Sequence, residues 1–218
     1  MLNEQLQQLL LRGLGDTLYM VFSATALAAL LGIPGGFLLY STRPRRFLAN
    51  GFIFYPLNLL VNIGRSIPFI ILAIWIIPVT RFLVGKAIGN TAAIVPLAIA
   101  ATPFVARLIE NALNEVPSGL IEAAQAMGAR PGQIIRRVLW PEALPAIINA
   151  LTITLITLIG YSAVVGSIGA DGLGKIAYSH GYQRYRPDVI FYTVCVIVLL
   201  VQAIQYLGDY LVRRTDHR

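Results

Sequence analysis

The sequence predicts an all-α integral membrane protein with about five transmembrane helices. Two observations carry that prediction. The 218 residues are 57% hydrophobic and 12% charged, with a mean hydropathy of +0.72, whereas soluble domains carry about 25% charged residues. The apolar residues are also gathered into long runs, and a hydrocarbon core of about 30 Å needs roughly 20 such residues per helix. The single cysteine, Cys195, lies inside one run, which excludes an intramolecular disulfide, a cysteine-rich metal site and a thiol redox pair. The net charge of +7 is held in short clusters beside the apolar runs. Membrane topology is written that way, and the pattern argues against nucleic-acid binding.

Five runs qualify as spans, at residues 17–40, 52–79, 91–113, 143–165 and 189–212, and residues 1–218 read as one transmembrane domain. Ahead of the first run, MLNEQLQQLLLRGLGD contains two acids and a short Leu cluster with no small-residue cleavage site. It reads as a short interfacial segment and not as a signal peptide. In the first span Ala24, Ala28, Gly32 and Gly36 recur at every fourth residue, which predicts a close-packing face, with Pro34 and Gly35 as a secondary hinge reading.

Lys and Arg set the orientation. The 41–51 loop, the 107–142 region and the C-terminal tail, Arg218 included, hold ten of them, and the other connections hold six: Arg12, Arg81, Lys86, Lys175, Arg184 and Arg186. The richer side is expected to be cytoplasmic, with the N-terminus outside and the C-terminus inside.

That orientation bears on GADGLGKI, residues 169–176, which is one residue short of a nucleotide-binding loop. Gly169, Gly174 and Lys175 fit G-x-x-x-x-G-K-[ST], but Ile176 replaces the hydroxyl, the loop is predicted to face outward, and no strand precedes it. No nucleotide site is expected there. Gly166, Gly169, Gly172 and Gly174 are read as backbone bends where the chain re-enters the membrane. His180 and His217 have no ligand partners at useful spacing, so no metal site is expected.

The long cytoplasmic connection, 117–142, is too polar to cross a membrane and too patterned to be a linker. Leu120, Ile121, Ala124, Met127 and Gly128 are predicted to line one side of a short helix that begins after Pro117 and ends at Gly128. Pro131 suits the first turn of a second helix, and Pro141 is expected to stop it. Read from the residues alone, the segment is also compatible with an amphipathic helix resting on the bilayer.

Glu122, Ala123 and Ala124, then three residues, Gly128, nine residues, Val138, Leu139, Trp140 and Pro141 resemble the "EAA" coupling loop of ABC importer membrane subunits, E-A-A-x3-G-x9-I-x-L-P. Val138 and Trp140 depart from it. Residues 62–85, 92–113 and 151–174 extend the resemblance to methionine ABC importer permeases over most of the chain. The resemblance implies a type I importer permease fold in a bacterial inner membrane and a homodimer of this subunit. It also implies two cytoplasmic ATP-binding subunits that carry the ATP and Mg, and an extracytoplasmic substrate-binding protein. No cofactor is expected in this chain. Glu122, Ala123, Ala124, Gly128 and Pro141 are then the residues that couple to the ATPase: the alanines allow close approach, Gly128 turns the chain, and Glu122 offers a carboxylate.

Two polar stripes remain. Asn58, Asn62 and Arg65 fall at i, i+4 and i+7 of the second span, where a charge costs about 2.5–3.5 kcal/mol unless it faces protein or water. Arg65 is predicted beside the translocation path or the dimer seam, or as a clamp on carbonyls freed by Pro68. Thr154, Thr157 and Tyr161 on the fourth span are read as path lining or as bonds to a neighbouring helix. An ion-coupled secondary transporter is the alternative function, but it calls for a carboxylate deep in a span, and all ten acids fall at span ends or in loops. An intramembrane enzyme is disfavoured because no span contains a His.

Overall fold

The computed structural model describes residues 4–215, and among these every regular element is a helix. Helix α1, Glu4–Thr42, is a single 39-residue rod with Pro34 inside it. Its first turns are not the separate interfacial segment predicted for residues 4–16. Leu6 and Leu10 are buried against Leu173, Ile176 and Val189, so apolar contact at that end extends the helix.

The second apolar run departs most from expectation. The 52–79 run is broken into α2, Gly51–Ser66, α3, Phe69–Trp75, and α4, Ile77–Val84, with a bend of 101° between α2 and α3. Pro68 causes the break. It disfavours helical backbone at the residue before it, and Ile67 is extended at φ −84°, ψ 122°.

Helix α5, Asn90–Asn114, follows its predicted boundaries and lies against α1. The small-residue face of α1 makes this contact: a Cβ on Gly36 would stand 2.6 Å from the Ile109 Cβ and 2.7 Å from the Ala106 carbonyl oxygen. Only glycine admits so close an approach. After α6, Ser118–Ala126, an unbroken helical course runs from Pro131 to Ser167 as α7, Pro131–Ile134, a π-helical turn, Ile135–Leu139, and α8, Trp140–Ser167. Pro141 therefore does not stop the helix as predicted. A proline ring ordinarily collides with the carbonyl four residues back, and the wide turn just before it, in which the Trp140 N–H reaches the Ile135 carbonyl, relieves that collision. A short turn α9, Leu173–Lys175, a second π-helical segment, Ile176–Tyr182, and α10, Pro187–Thr215, complete the fold.

The bundle has two chemically distinct ends. At one, the loop after α1 meets the end of α5 through Arg46 Nη2 donating to Asn114 Oδ1 at 2.8 Å. A cavity of about 560 Å³ at the same end brings Glu115, Glu142, Asp209 and Thr215 together. At the other, Asn90 Nδ2 donates to Asp16 Oδ1 at 2.8 Å, and Asn90 Oδ1 accepts the Asp171 N–H at 2.7 Å. Arg218 and His217 lie outside the described residues.

Candidate functional site

The segment of the coupling motif folds as a compact corner. Helix α6 starts after Pro117 and closes on a Schellman turn: the Gly128 N–H donates to the Gln125 carbonyl at 2.9 Å and the Ala129 N–H to the Ala124 carbonyl at 3.0 Å. Gly128 sits at φ +77°, the left-handed region that glycine enters without strain. The expected one-sided helix is split. Ile121 and Ala124 are buried in the main core, whereas Leu120 is 41% and Met127 82% exposed. Glu122 and Ala123 are exposed, so Leu120, Ala123 and Met127 form an apolar stripe facing outward at i, i+3 and i+7. Ala124 faces the protein's own interior. Pro141 is exposed near the start of α8. The Gln133 side chain accepts the Arg130 N–H at 2.8 Å and so starts α7.

The two polar stripes are partly brought together. Arg65, at the end of α2, and Thr157 and Tyr161 of α8 line one cavity of about 230 Å³ with Phe69 of α3 and Phe104 of α5. Thr154 lines it as well and is fully buried. The bonding to a neighbouring helix considered for the threonines is not what forms: the Thr154 hydroxyl donates to Ala150 O and Thr157 to Ile153 O, both within α8 and both at 2.8 Å. Tyr161 stacks on Phe69, with ring centroids 4.4 Å apart and planes 2° from parallel. The carbonyl clamp considered for Arg65 is not formed either. Among the described residues its guanidinium has no hydrogen-bond partner.

Asn58 and Asn62 turn away from this cavity to a charged cluster. Arg107 Nη2 donates to Asn58 Oδ1 and to Asn62 Oδ1, each at 2.7 Å, while Nη1 pairs with Glu110. Arg43, on the loop after α1, approaches Glu110 to 4.0 Å. Glu110 falls at a span end as expected and is nevertheless 3% exposed. It stands near the end of α5, but the chain returning after α1 covers it. The signal was present in the sequence as an Arg and a Glu three residues apart within an apolar run.

GADGLGKI is consumed by packing. The Leu173 N–H donates to Thr17 Oγ1 at 3.0 Å and the Lys175 ammonium to Asp171 at 2.6 Å. Beside it, burial and the positive charges of Arg184 and Lys175 push the His180 imidazole below its ordinary pKa.

Residues 32–218 match the family described as "Binding-protein-dependent transport system inner membrane component". The "Probable D-methionine transport system permease protein MetI" of Vibrio cholerae is 56% identical over 210 residues, covering 96% of this chain and 93% of that protein. "D-methionine transport system permease protein MetI" of Escherichia coli K12 is 55% identical over 165 residues, 76% of each chain. Among solved structures, one titled "Inward facing conformations of the MetNI methionine ABC transporter" superposes with a TM-score of 0.96 at 52% identity, over 99% of this chain and 100% of that one. An "amino acid ABC transporter with histidines", at 24% identity and a TM-score of 0.80, shares the fold over 95% and 94% of the two chains.

Proposed function

The chain belongs to the family of binding-protein-dependent transport system inner membrane components, and from that membership we propose that it is the membrane-spanning permease subunit of an ATP-driven methionine importer. Its fold is that of type I importer permeases. The observation that carries the substrate is the identity of 56% over nearly the whole chain to a permease named for D-methionine transport. In this reading two copies of the chain form the path, two cytoplasmic subunits hold the ATP and Mg, and an extracytoplasmic protein delivers the substrate. The chain itself needs no cofactor and hydrolyses nothing.

Energy enters at the corner around α6. Glu122, Ala123 and Gly128 stand outside the core with Leu120 and Met127, which supports docking into a groove of the ATPase. Movement of α6 passes directly into α5 through residues 115–117 and, beyond Gly128, into the helical course leading to α8. Pro141 and the wide turn before it place a weak point between the docking corner and the span, as such turns do at functional hinges. Arg65, Thr157 and Tyr161 line the path; Asn58 and Asn62 tie α2 to the same machinery through Arg107.

Cells lacking this chain are expected to lose high-affinity uptake of methionine, tested with both stereoisomers, and to regain it with the chain restored. Unchanged methionine uptake with loss of another amino acid's would leave the permease reading and remove the substrate. The ion-coupled alternative has one foothold, buried Glu110, but Arg107 holds that carboxylate. Uptake into proteoliposomes by the purified complex, with ATP and no ion gradient, separates the two mechanisms.

Orientation is tested independently. With Cys195→Ser as background, Arg137→Cys is expected to resist an impermeant thiol reagent in intact cells and Lys175→Cys to react. The opposite pattern would invert the topology.

A further inference from the structure

The cavity between α2, α3, α5 and α8 brings a guanidinium, a helix end and an aromatic pair together. Arg65 lines it as an exposed side chain with no hydrogen-bond or ion-pair partner among the described residues. Among the described residues no Asp or Glu lines the cavity, so the guanidinium is open to an anionic group that enters. Next to Arg65 the helix stops. Among the described residues no backbone N–H from beyond the helix end reaches the carbonyls of residues 63–66, so α2 ends in free oxygens and the negative end of its dipole beside a guanidinium. The remaining wall combines Thr154 and Thr157 with an aromatic and apolar part from Phe69, stacked on Tyr161, and from Phe104 and Leu158.

A positive fork, a row of acceptor oxygens and an aromatic wall are complementary to one chemical class. We propose that this cavity is a transient binding site for a zwitterionic, apolar α-amino acid, with the α-carboxylate on Arg65, the ammonium on the terminal carbonyls of α2, and the side chain against Phe69, Phe104 and Tyr161. The proposal rests on the reading of this cavity as part of the path. Arginine suits a carboxylate because its planar fork donates two parallel hydrogen bonds. A thioether side chain suits the wall because sulfur makes favourable contacts with aromatic rings. The cavity, about 230 Å³, has room for one amino acid. Substrate selection would then act twice, once at the delivering protein and again inside the membrane, where an amino acid lacking its carboxylate would leave Arg65 unpaired.

The test uses the assembled permease–ATPase complex without binding protein. A reporter thiol is placed on the cavity wall by Ala100→Cys in the Cys195→Ser background, and its alkylation rate is followed against increasing methionine or methioninamide. Methionine is expected to slow alkylation about tenfold at saturation, and the uncharged carboxamide is expected to do so only at far higher concentration. Loss of one charge-assisted contact in Arg65→Gln should raise the methionine needed for half-protection by about 10- to 100-fold. Protection that is equal for both ligands, or unchanged by Arg65→Gln, overturns the carboxylate assignment and leaves the path reading standing. A thiol inert to permeant reagent in every nucleotide state overturns the path reading and this proposal with it. An Arg65→Gln complex that falls into single permease subunits assigns Arg65 to the seam between copies and also overturns the proposal. If Ala100→Cys does not assemble, radiolabelled methionine binding to the Cys195→Ser complex with and without Arg65→Gln makes the same comparison: a weakening of the stated size supports the proposal, and equal binding overturns it.

Discussion

Arg107→Met is expected to destabilise the protein by about 3–5 kcal/mol, because it leaves a buried carboxylate without its main partner. Glu110 is 3% exposed and pairs with Arg107; its other cation, Arg43, stands at 4.0 Å with half its side chain in the open. Screening makes such a distant, exposed cation a weak replacement. The same substitution removes the donor to Asn58 and Asn62 and so cuts a polar tie between α2 and α5. The unfolding midpoint of the solubilised protein, followed by the loss of the monodisperse peak on heating, measures the effect. Glu110→Gln added to Arg107→Met should recover most of the loss, since removing both charges is often close to neutral while removing one is not. A single variant within about 0.5 kcal/mol of the parent, the range of ordinary surface changes, would show that the cluster contributes nothing. A double variant as unstable as the single would move the weight from the charge pair to the asparagines.

That cluster marks the boundary of what the sequence discloses. Helices α5 and α10 begin and end within three residues of the predicted spans, because hydropathy alone decides them. Gly128 is legible for a similar reason: a local backbone requirement selects the residue type. The break at Ile67 was written in Pro68, but the apolar run on both sides reads as one span unless the proline is given more weight than the hydropathy. Pro141 misleads in the opposite sense. Its tolerance depends on a π-helical turn, a wide hydrogen-bond pattern with no compositional signature. Glu110 and the Arg65 cavity depend on residues from separate helices meeting in space. The polar stripes were visible, but Asn62 and Arg65 share a helix face in sequence and serve different surroundings in the fold.

The corner around α6 yields the largest expected effect on transport. If Leu120, Ala123 and Met127 seat in the ATPase groove, Ala123→Trp should leave the protein inserted and folded, because Ala123 is exposed, and should still block close approach. Removing a central contact in such an interface costs 2 kcal/mol or more, a loss of about 30-fold or greater in association. The ATPase should then fail to co-purify, or should hydrolyse ATP without uptake. Met127→Asp should act in the same direction by placing a desolvated charge in the groove. Ala124→Trp gives a different signature. With 5% exposure and neighbours in the main core, bulk there overpacks the protein's own interior, at about 1–3 kcal/mol, so the permease should lose stability whether or not the ATPase is present. Glu122→Ala removes one charge-assisted contact worth about 1.5–3 kcal/mol and should reduce uptake without erasing it. Exposed Gln125, replaced by Ala, is the control and should transport as the parent does. Normal uptake by Ala123→Trp with the ATPase fully bound would leave α6 as a helix lying on the membrane surface, and the path by which ATP drives this permease would have to be sought elsewhere in the chain.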